Sequence, residues 1–336
     1  MTRLNSSTVD CLSDKKATLE AKRQDILDTY NAPETSAVDK LKLGEQLKGV
    51  NERIGALESK IMKLARPETH YEEQTNDQLD ASMVLTGDKL GEMVQNGSIG
   101  EIKRTNWIIT DWYRTQQYYN SGGWRATWKG EGGGVLYNQA PHQLDLFQWI
   151  VGMMPTKVHA FCHYGKWHDI EVEDDVTCYV EYPNGATGVF ITTTADAPGT
   201  NRFEITGTKG TLIFEDNKLF YKQLTVDERE WCATCEEGFK KPECLPTVQV
   251  ELEGENTQHT GICNNIANAI LGLEEVYAPA KDGIHGVHLA NAMHLSSWLG
   301  ESVTLPIDDE LFYEELKKRI AISKPHEVNE KTEIQG

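Results

Sequence analysis

Three polar side chains that could together form an acid–base site follow a run of glycines at residues 132–134. Asn138 and His142 are four residues apart, so they point the same way if a helix has already begun there. A histidine beside a hydrogen-bonding partner can take or give a proton near neutral pH, and Asp145 could orient its imidazole. The glycines would let the backbone approach a ligand closely. The alternative is that His142 is a helix-start histidine hydrogen-bonded into the fold.

A second candidate site lies in residues 111–128, where aromatic and arginine side chains are interleaved with glycines. Sugar pockets use this combination, because apolar ring faces stack on the sugar and polar edges form hydrogen bonds. We predict Tyr113, Trp124 and Arg125 as substrate-binding residues. The alternative is a surface loop whose tryptophans fill the core.

A metal site is a weaker candidate. Cys232 and Cys235 form a Cys-x-x-Cys pair, a common half of a zinc site, and Cys244 and His259 could complete it. These two further residues are not a closely spaced pair, so we predict ordinary reduced thiols and no metal.

Composition limits the classes of partner. The formal net charge of −19 argues against nucleic acids and anionic membranes, whose binding needs clustered lysine and arginine. No apolar run approaches the roughly 20 residues that span a bilayer, and the polar N-terminus lacks the apolar region of a secretory signal. Seven cysteines, an odd number in a long chain, favour reduced thiols. We therefore expect an acidic, soluble, cytoplasmic protein.

Residues 1–82 are predicted to be helical. A helix over residues 15–30 is followed by a break and by a second helix that Ser36 could cap and Pro67 would end. The two helices are predicted to form a hairpin or a dimerising coiled coil, unless they are amphipathic helices that pack on the next domain. Residues 68–82 are predicted to be a linker. The second helix has apolar residues at alternating spacings of four and three: Leu43, Leu47, Val50, Ile54, Leu57, Ile61 and Leu64.

Residues 83–325 are predicted to form one α+β domain: a mainly antiparallel open sheet with helices on one face. Residues 103–112 and six shorter runs between 157 and 222 have the composition of strands, and Asn184-Gly185 marks a hairpin. Helical patterns cover residues 88–96 and 141–151 before the hairpins. They return at residues 259–274, 284–300 and 308–322, and a flexible tail is expected over residues 326–336.

The ordered motifs of this domain resemble the Gfo/Idh/MocA oxidoreductases, the family of glucose–fructose oxidoreductase and inositol dehydrogenase. The resemblance covers about residues 83–325. The residues that carry it are Leu90 to Ile102, Gly132 to Asp145 with Asn138 and His142, Glu171 to Asp175, Asn184 to Gly188 and Gly207 to Gly210.

This resemblance implies an NAD- or NADP-dependent oxidation of a sugar or cyclitol hydroxyl, in which His142 moves the hydroxyl proton. The family often has aspartate where this chain has Asn138; asparagine can hold a hydroxyl but cannot act as a base. The family also uses a dinucleotide-binding domain with a glycine-rich strand–helix turn and a Glu-Lys-Pro motif. Residues 1–82 contain neither motif.

Two functions follow as hypotheses. The first is an oxidoreductase domain for a sugar or cyclitol that cannot bind its cofactor alone. The second is a non-catalytic carbohydrate-binding or assembly module derived from that family. The resemblance also implies a homo-oligomer that associates through the sheet face.

Overall fold

The computed structural model describes residues 2–32, 35–65, 87–252 and 258–324. The predicted linker over residues 68–82, Pro67 and the tail over residues 326–336 lie outside the described residues. The chain divides near residue 72 into two compact units. Within the described residues, no helix is both long and apolar enough to cross a membrane.

The N-terminal unit is a pair of helices, α1 (Thr2–Asn31) and α2 (Ala37–Ala65). Ser36 caps α2 as predicted: its Oγ accepts a hydrogen bond of 3.2 Å from the backbone N–H of Asp39. α1 begins earlier than predicted. Its first turns are polar and have no apolar periodicity, so the sequence pattern did not indicate them. Four residues of the predicted apolar stripe of α2, Leu43, Leu47, Val50 and Ile54, pack in one cluster with Leu19 and Ile26 of α1.

The second unit is a nine-stranded sheet with helices before, between and after its strands. Its helices are residues 87–95 (α3), Gln116–Tyr119 (α4), Val135–Asn138 (α5), Pro141–Val151 (α6), Glu228–Thr234 (α7), Gln258–Ile270 (α8), Ile284–Leu299 (α9) and Asp309–Ile322 (α10), with a 3₁₀ turn at Ala280–Gly283. Its strands are Ile102–Ile109 (β1), Lys157–Tyr164 (β2), Glu173–Glu181 (β3), Thr187–Thr193 (β4), Asn201–Gly207 (β5), Gly210–Glu215 (β6), Lys218–Gln223 (β7), Val248–Val250 (β8) and Val303–Thr304 (β9).

The strands run in the order β8-β7-β6-β5-β1-β4-β3-β2-β9. Only the pair β1–β4 is parallel among the strand pairs of the described residues. The predicted α+β class with a mainly antiparallel sheet is therefore confirmed. The Asn184-Gly185 hairpin between β3 and β4 is present, with Gly185 at φ +81° and the Asn184 Oδ1 accepting from Ala186 N–H at 3.0 Å.

Helices α6 and α9 cover one face of the sheet. Phe147 of α6 packs on Trp107 of β1, and Trp107 stacks on Phe203 with ring centroids 4.5 Å apart. α9 is fixed to β2 by Ser296, whose Oγ accepts from the backbone N–H of Ala160 at 3.0 Å. The sheet and these two helices thereby form a rigid base for the loops at the ends of the strands.

Several boundaries differ from the prediction. β1 ends at Ile109 rather than at residue 112, and α8 ends at Ile270 because Gly272 adopts φ +72° in the turn that follows. β8 and β9 were not predicted, because strands of three and two residues are too short to show alternation.

Candidate functional site

The glycine turn before α5 is built around the carboxylate of Glu173. The backbone N–H groups of Gly134 and Leu136 donate to its two oxygens at 2.8 and 3.0 Å. A Cβ on Gly134 would lie 2.1 Å from the backbone oxygen of Glu173, so only glycine allows this approach. Glu173 is fully buried and therefore fixes the position of the turn that leads to Asn138.

His294 of α9 packs against the same carboxylate. Its Nε2 lies 3.4 Å from the Glu173 Oε2, both side chains are fully buried, and within the described residues neither ring nitrogen forms a hydrogen bond. The Tyr137 ring stacks on the imidazole with centroids 5.3 Å apart, and the Tyr137 hydroxyl donates to Asn291. Burial raises the pKa of Tyr137, so this hydroxyl stays protonated. These contacts join α5 to α9.

The hydroxyl of Tyr118 connects the two predicted parts of the site. It donates to the Oδ1 of Asn138 at 2.9 Å and accepts from the Arg125 Nη1 at 2.9 Å and from the Gln139 Nε2 at 3.3 Å. The Gln139 Nε2 also donates to the Asn138 Oδ1 at 2.6 Å. The asparagine after the glycine turn and the arginine of the aromatic segment therefore share one hydrogen-bonded network.

Cation–π contacts hold the arginine side chains of this network. The Arg125 guanidinium lies 4.7 Å from the Tyr118 ring centroid and 4.6 Å from the Trp124 ring, and the Arg114 guanidinium lies 5.2 Å from the Tyr118 ring. Trp124 remains 52% exposed. The site therefore presents an accessible aromatic ring beside guanidinium and amide groups, the combination that binds a sugar.

The carboxylate of Glu131 completes the network. It accepts from the backbone N–H of Ala126 at 2.7 Å, and the Asn138 amide also donates to it. Burial raises the pKa of Glu131, and the hydrogen bonds from Ala126 and Asn138 oppose the rise. Glu131 therefore orients the Asn138 amide so that its oxygen faces Tyr118.

The raised pKa of Glu131 predicts a pH-dependent contribution to stability. Because the folded state binds this proton more tightly than the unfolded state, the contribution is full below the ordinary pKa of 4.5 and is lost as the pH rises through the raised value. In urea unfolding at a series of pH values, we expect the wild type to lose stability relative to Glu131→Gln over that window. The exposed Glu236→Gln is the control, and identical pH slopes for wild type and Glu131→Gln would contradict the prediction.

The loop before β3 holds the aromatic segment in place. The His168 Nε2 contacts the backbone oxygen of Arg114 at 3.0 Å, and its Nδ1 contacts the Asp174 carboxylate at 3.0 Å. Glu171 accepts from the backbone N–H of Trp128 at 3.2 Å and from the Ser323 hydroxyl at 2.6 Å. The aromatic segment at residues 111–128 is therefore hydrogen-bonded to the loop before β3, which also contacts the end of α10.

The structure joins three of the six predicted site residues, Asn138, Trp124 and Arg125. His142 is exposed near the start of α6, and α5 has already ended at Asn138, so one continuous helix does not align the two side chains. The Asp145 carboxylate accepts from Gln148 at 3.1 Å, and in the described part of the chain no hydrogen bond joins Asp145 to His142. The Tyr113 side chain is exposed outside the network. The roles of His142, Asp145 and Tyr113 stay predictions.

Four residues of the site were not found from the sequence: Tyr118, Glu131, Glu173 and His294. Tyr118 stands in the aromatic segment and Glu131 directly before the glycine run, and their polar groups were the available signal. Glu173 stands in the motif Glu171 to Asp175, but its own role gave no local signal, because it contacts the glycine turn 37–39 positions earlier and His294 121 positions later.

The glycine turn at residues 132–134 does not offer its backbone N–H groups to a nicotinamide dinucleotide. Pyrophosphate binding uses free backbone N–H groups of a glycine turn at a helix N-terminus. In the glycine turn at residues 132–134, the N–H groups of Gly134 and Leu136 are taken by Glu173. A metal is likewise not matched, since the described side chains contain no cluster of three candidate ligands; the His259 side chain lies outside them.

Comparisons with known proteins identify the domain. Residues 88–213 match the family model of the GFO/IDH/MocA C-terminal domain. The WlbA dehydrogenase from Chromobacterium violaceum, solved with NADH and UDP-GlcNAcA, is 25% identical with a TM-score of 0.51 over 68% of this chain and 60% of that one. WlbA from Bordetella pertussis, with the same ligands, is 23% identical with a TM-score of 0.51 over 66% and 60%.

A levoglucosan dehydrogenase solved with NADH and L-sorbose shares the fold at 19% identity and a TM-score of 0.52, over 68% of this chain and 65% of that one. The chain thus spans about 60% of the length of the WlbA dehydrogenases. The matched strands β1 to β5, the glycine turn and the Asn138 network all lie within residues 88–213. Residues 88–213 of the chain therefore match the C-terminal domain of the GFO/IDH/MocA family.

Proposed function

We propose that this domain binds a sugar or cyclitol through the Asn138, Tyr118 and Arg125 network. The observation that carries the proposal is the Tyr118 hydroxyl, which ties the amide after the glycine turn to the arginine of the aromatic segment. The amide and guanidinium supply hydrogen bonds to ring hydroxyls, and the exposed Trp124 ring supplies a stacking face. Sugar ligands in the dehydrogenases of similar fold support this class of substrate.

The reaction proposed for the bound sugar is the NAD(P)-dependent oxidation of one hydroxyl, as in dehydrogenases of this family. His142 is the candidate acid–base group, since it is exposed and its imidazole is free to meet a ligand. Asn138 can hold the hydroxyl but cannot take its proton. We propose that the cofactor is held by residues other than those described, since the glycine turn is already occupied by Glu173.

Replacement of Asn138 tests sugar binding directly. We expect Asn138→Ala to weaken the binding of D-glucose or myo-inositol about 10–100-fold in calorimetric titrations, because one or two hydrogen bonds to the ligand are lost. Asn264→Ala, at an exposed position on α8, is the matched control and should bind as the wild type does. Equal affinity in wild type and Asn138→Ala would refute the site.

A second function is a non-catalytic carbohydrate-binding or assembly module. The glycine turn supports it, because the N–H groups of Gly134 and Leu136 already donate to the Glu173 carboxylate and so are not free for a pyrophosphate. Titration of the full chain with NADH and NADPH separates the two functions. Saturable binding supports a dehydrogenase that acts by itself, whereas sugar binding without cofactor binding supports the module or a dehydrogenase completed by another chain.

Assembly and location complete the proposal. The open sheet face bears exposed apolar side chains, Phe161 and Tyr179 among them, which supports a homo-oligomer formed through this face. The pairing of α1 with α2 within one chain supports a helical hairpin, and its role as an oligomerising coiled coil is part of the proposal. The reduced thiols and the acidic composition support a cytoplasmic location.

A further inference from the structure

Two arginine side chains at the site have no carboxylate partner. The Arg114 Nη1 donates to the backbone oxygens of Trp112 and Tyr113 at 3.3 and 3.1 Å. The Arg125 Nη1 donates to the Tyr118 hydroxyl at 2.9 Å. Within the described part of the chain, neither guanidinium forms an ion pair. Each guanidinium has five N–H donors, so most of them are left for a ligand.

Three of the four other arginines of this unit pair with carboxylates within the described residues, and Arg104 does not. Arg202 pairs with Glu204 at 2.7 Å and also with Glu215, Arg229 pairs with Glu101, and Arg319 pairs with Glu315 at 3.0 Å. The chain carries 52 acidic and 33 basic residues, so carboxylates are plentiful. Arg114 and Arg125 are half-buried, lie around the same Tyr118 ring and have no carboxylate partner. They therefore indicate a place where an anion can bind.

The neighbouring acid does not neutralise this pair. Glu131 interacts electrostatically with Arg125 without forming an ion pair, and its oxygens are occupied by the Ala126 N–H and the Asn138 amide. Stacking on Trp124 and Tyr118 holds the Arg125 guanidinium in one orientation, so little side-chain freedom is lost when it binds a ligand.

We propose that Arg125, assisted by the charge of Arg114, is an anion subsite, and that the substrate of this domain is a sugar carrying a carboxylate or a phosphate group. The sugar half of this inference rests on the proposed function, whereas the anion half does not. The anion would bind the guanidinium while the ring hydroxyls reach Asn138 through the same network, since Tyr118 contacts both residues. A guanidinium fork binds either anion in bidentate fashion.

Calorimetric titrations with four ligands test the inference: D-glucose, D-glucuronate, glucose 6-phosphate and inorganic phosphate. We expect the better of the two anionic sugars to bind the wild type at least about tenfold more tightly than glucose, because a charge-assisted hydrogen bond is added. The tighter of glucuronate and glucose 6-phosphate identifies the anion. Arg125→Met should remove the preference and abolish phosphate binding, Arg114→Met should reduce both, and Arg229→Met should change neither.

Two further measurements separate the inference from the proposed function and from misfolding. Raising NaCl from about 50 to about 500 mM should weaken binding of the anionic sugar to the unaltered protein far more than that of glucose. Asn138→Ala should weaken glucose and leave inorganic phosphate bound. Glucose binding without any preference for anions, or a preference that survives Arg125→Met, would overturn the inference and leave the proposed function intact. Phosphate binding that depends on Arg125, without glucose binding, would overturn the proposed function alone.

Discussion

Glu173→Ala is expected to lower the free energy of unfolding by about 3–5 kcal/mol, the cost of removing one partner from a buried charged contact. The carboxylate accepts from two buried N–H groups, Gly134 and Leu136, which would be left without a partner. Glu173→Gln should recover only part of the loss, because its amide would point a donor at one of those N–H groups. Urea unfolding followed by far-UV circular dichroism measures the effect.

A matched glutamate shows whether this cost is specific. Glu204 forms a partly exposed ion pair with Arg202, so we expect Glu204→Ala to cost about 1 kcal/mol or less. If Glu173→Ala costs no more than Glu204→Ala, Glu173 does not hold the glycine turn. Where the Glu173 variant remains folded, its sugar affinity should fall as in Asn138→Ala, because the turn positions Asn138.

The sequence predicted the strands that are long enough to show alternation. β2 through β7 lie within a few residues of their expected bounds, and β2 to β5 place largely alternate side chains on the buried face. Both ends of α6 were predicted correctly, since Pro141 occupies its first turn and Gly152, at φ +70°, ends it. β8 was missed because three residues are too few to show a period, and α7 was missed because its seven residues are largely polar.

The site was predictable only where its residues stand close together in the sequence. The glycine turn with Asn138, and the aromatic segment with Arg125, were each found as a local pattern. The hydrogen-bonded connection between these two patterns through the Tyr118 hydroxyl was not found. Tyr118 and Asn138 are 20 residues apart and belong to different helices. The alignment of Asn138 with His142 assumed one helix, yet Pro141 already indicated that a new helix begins between them.

Phe190→Ala is expected to cost about 3–5 kcal/mol of unfolding free energy, because a fully buried phenylalanine leaves a cavity that the packed core cannot close. Its ring lies 6.1 Å from the Trp107 ring, edge to face, and 5.6 Å from the Phe147 ring, so it joins the sheet to α6.

Phe161 on β2 is the matched control: it is 57% exposed on the open face of the same sheet. We expect Phe161→Ala to cost about 1 kcal/mol or less in the same urea unfolding measurement. Equal losses for the two variants would mean that the open face is covered by a second chain in solution, or that the core lies elsewhere. Unfolding at several protein concentrations distinguishes these two explanations. If a second chain covers the open face, the loss of unfolding free energy in Phe161→Ala depends on protein concentration; if the core lies elsewhere in a monomer, it does not.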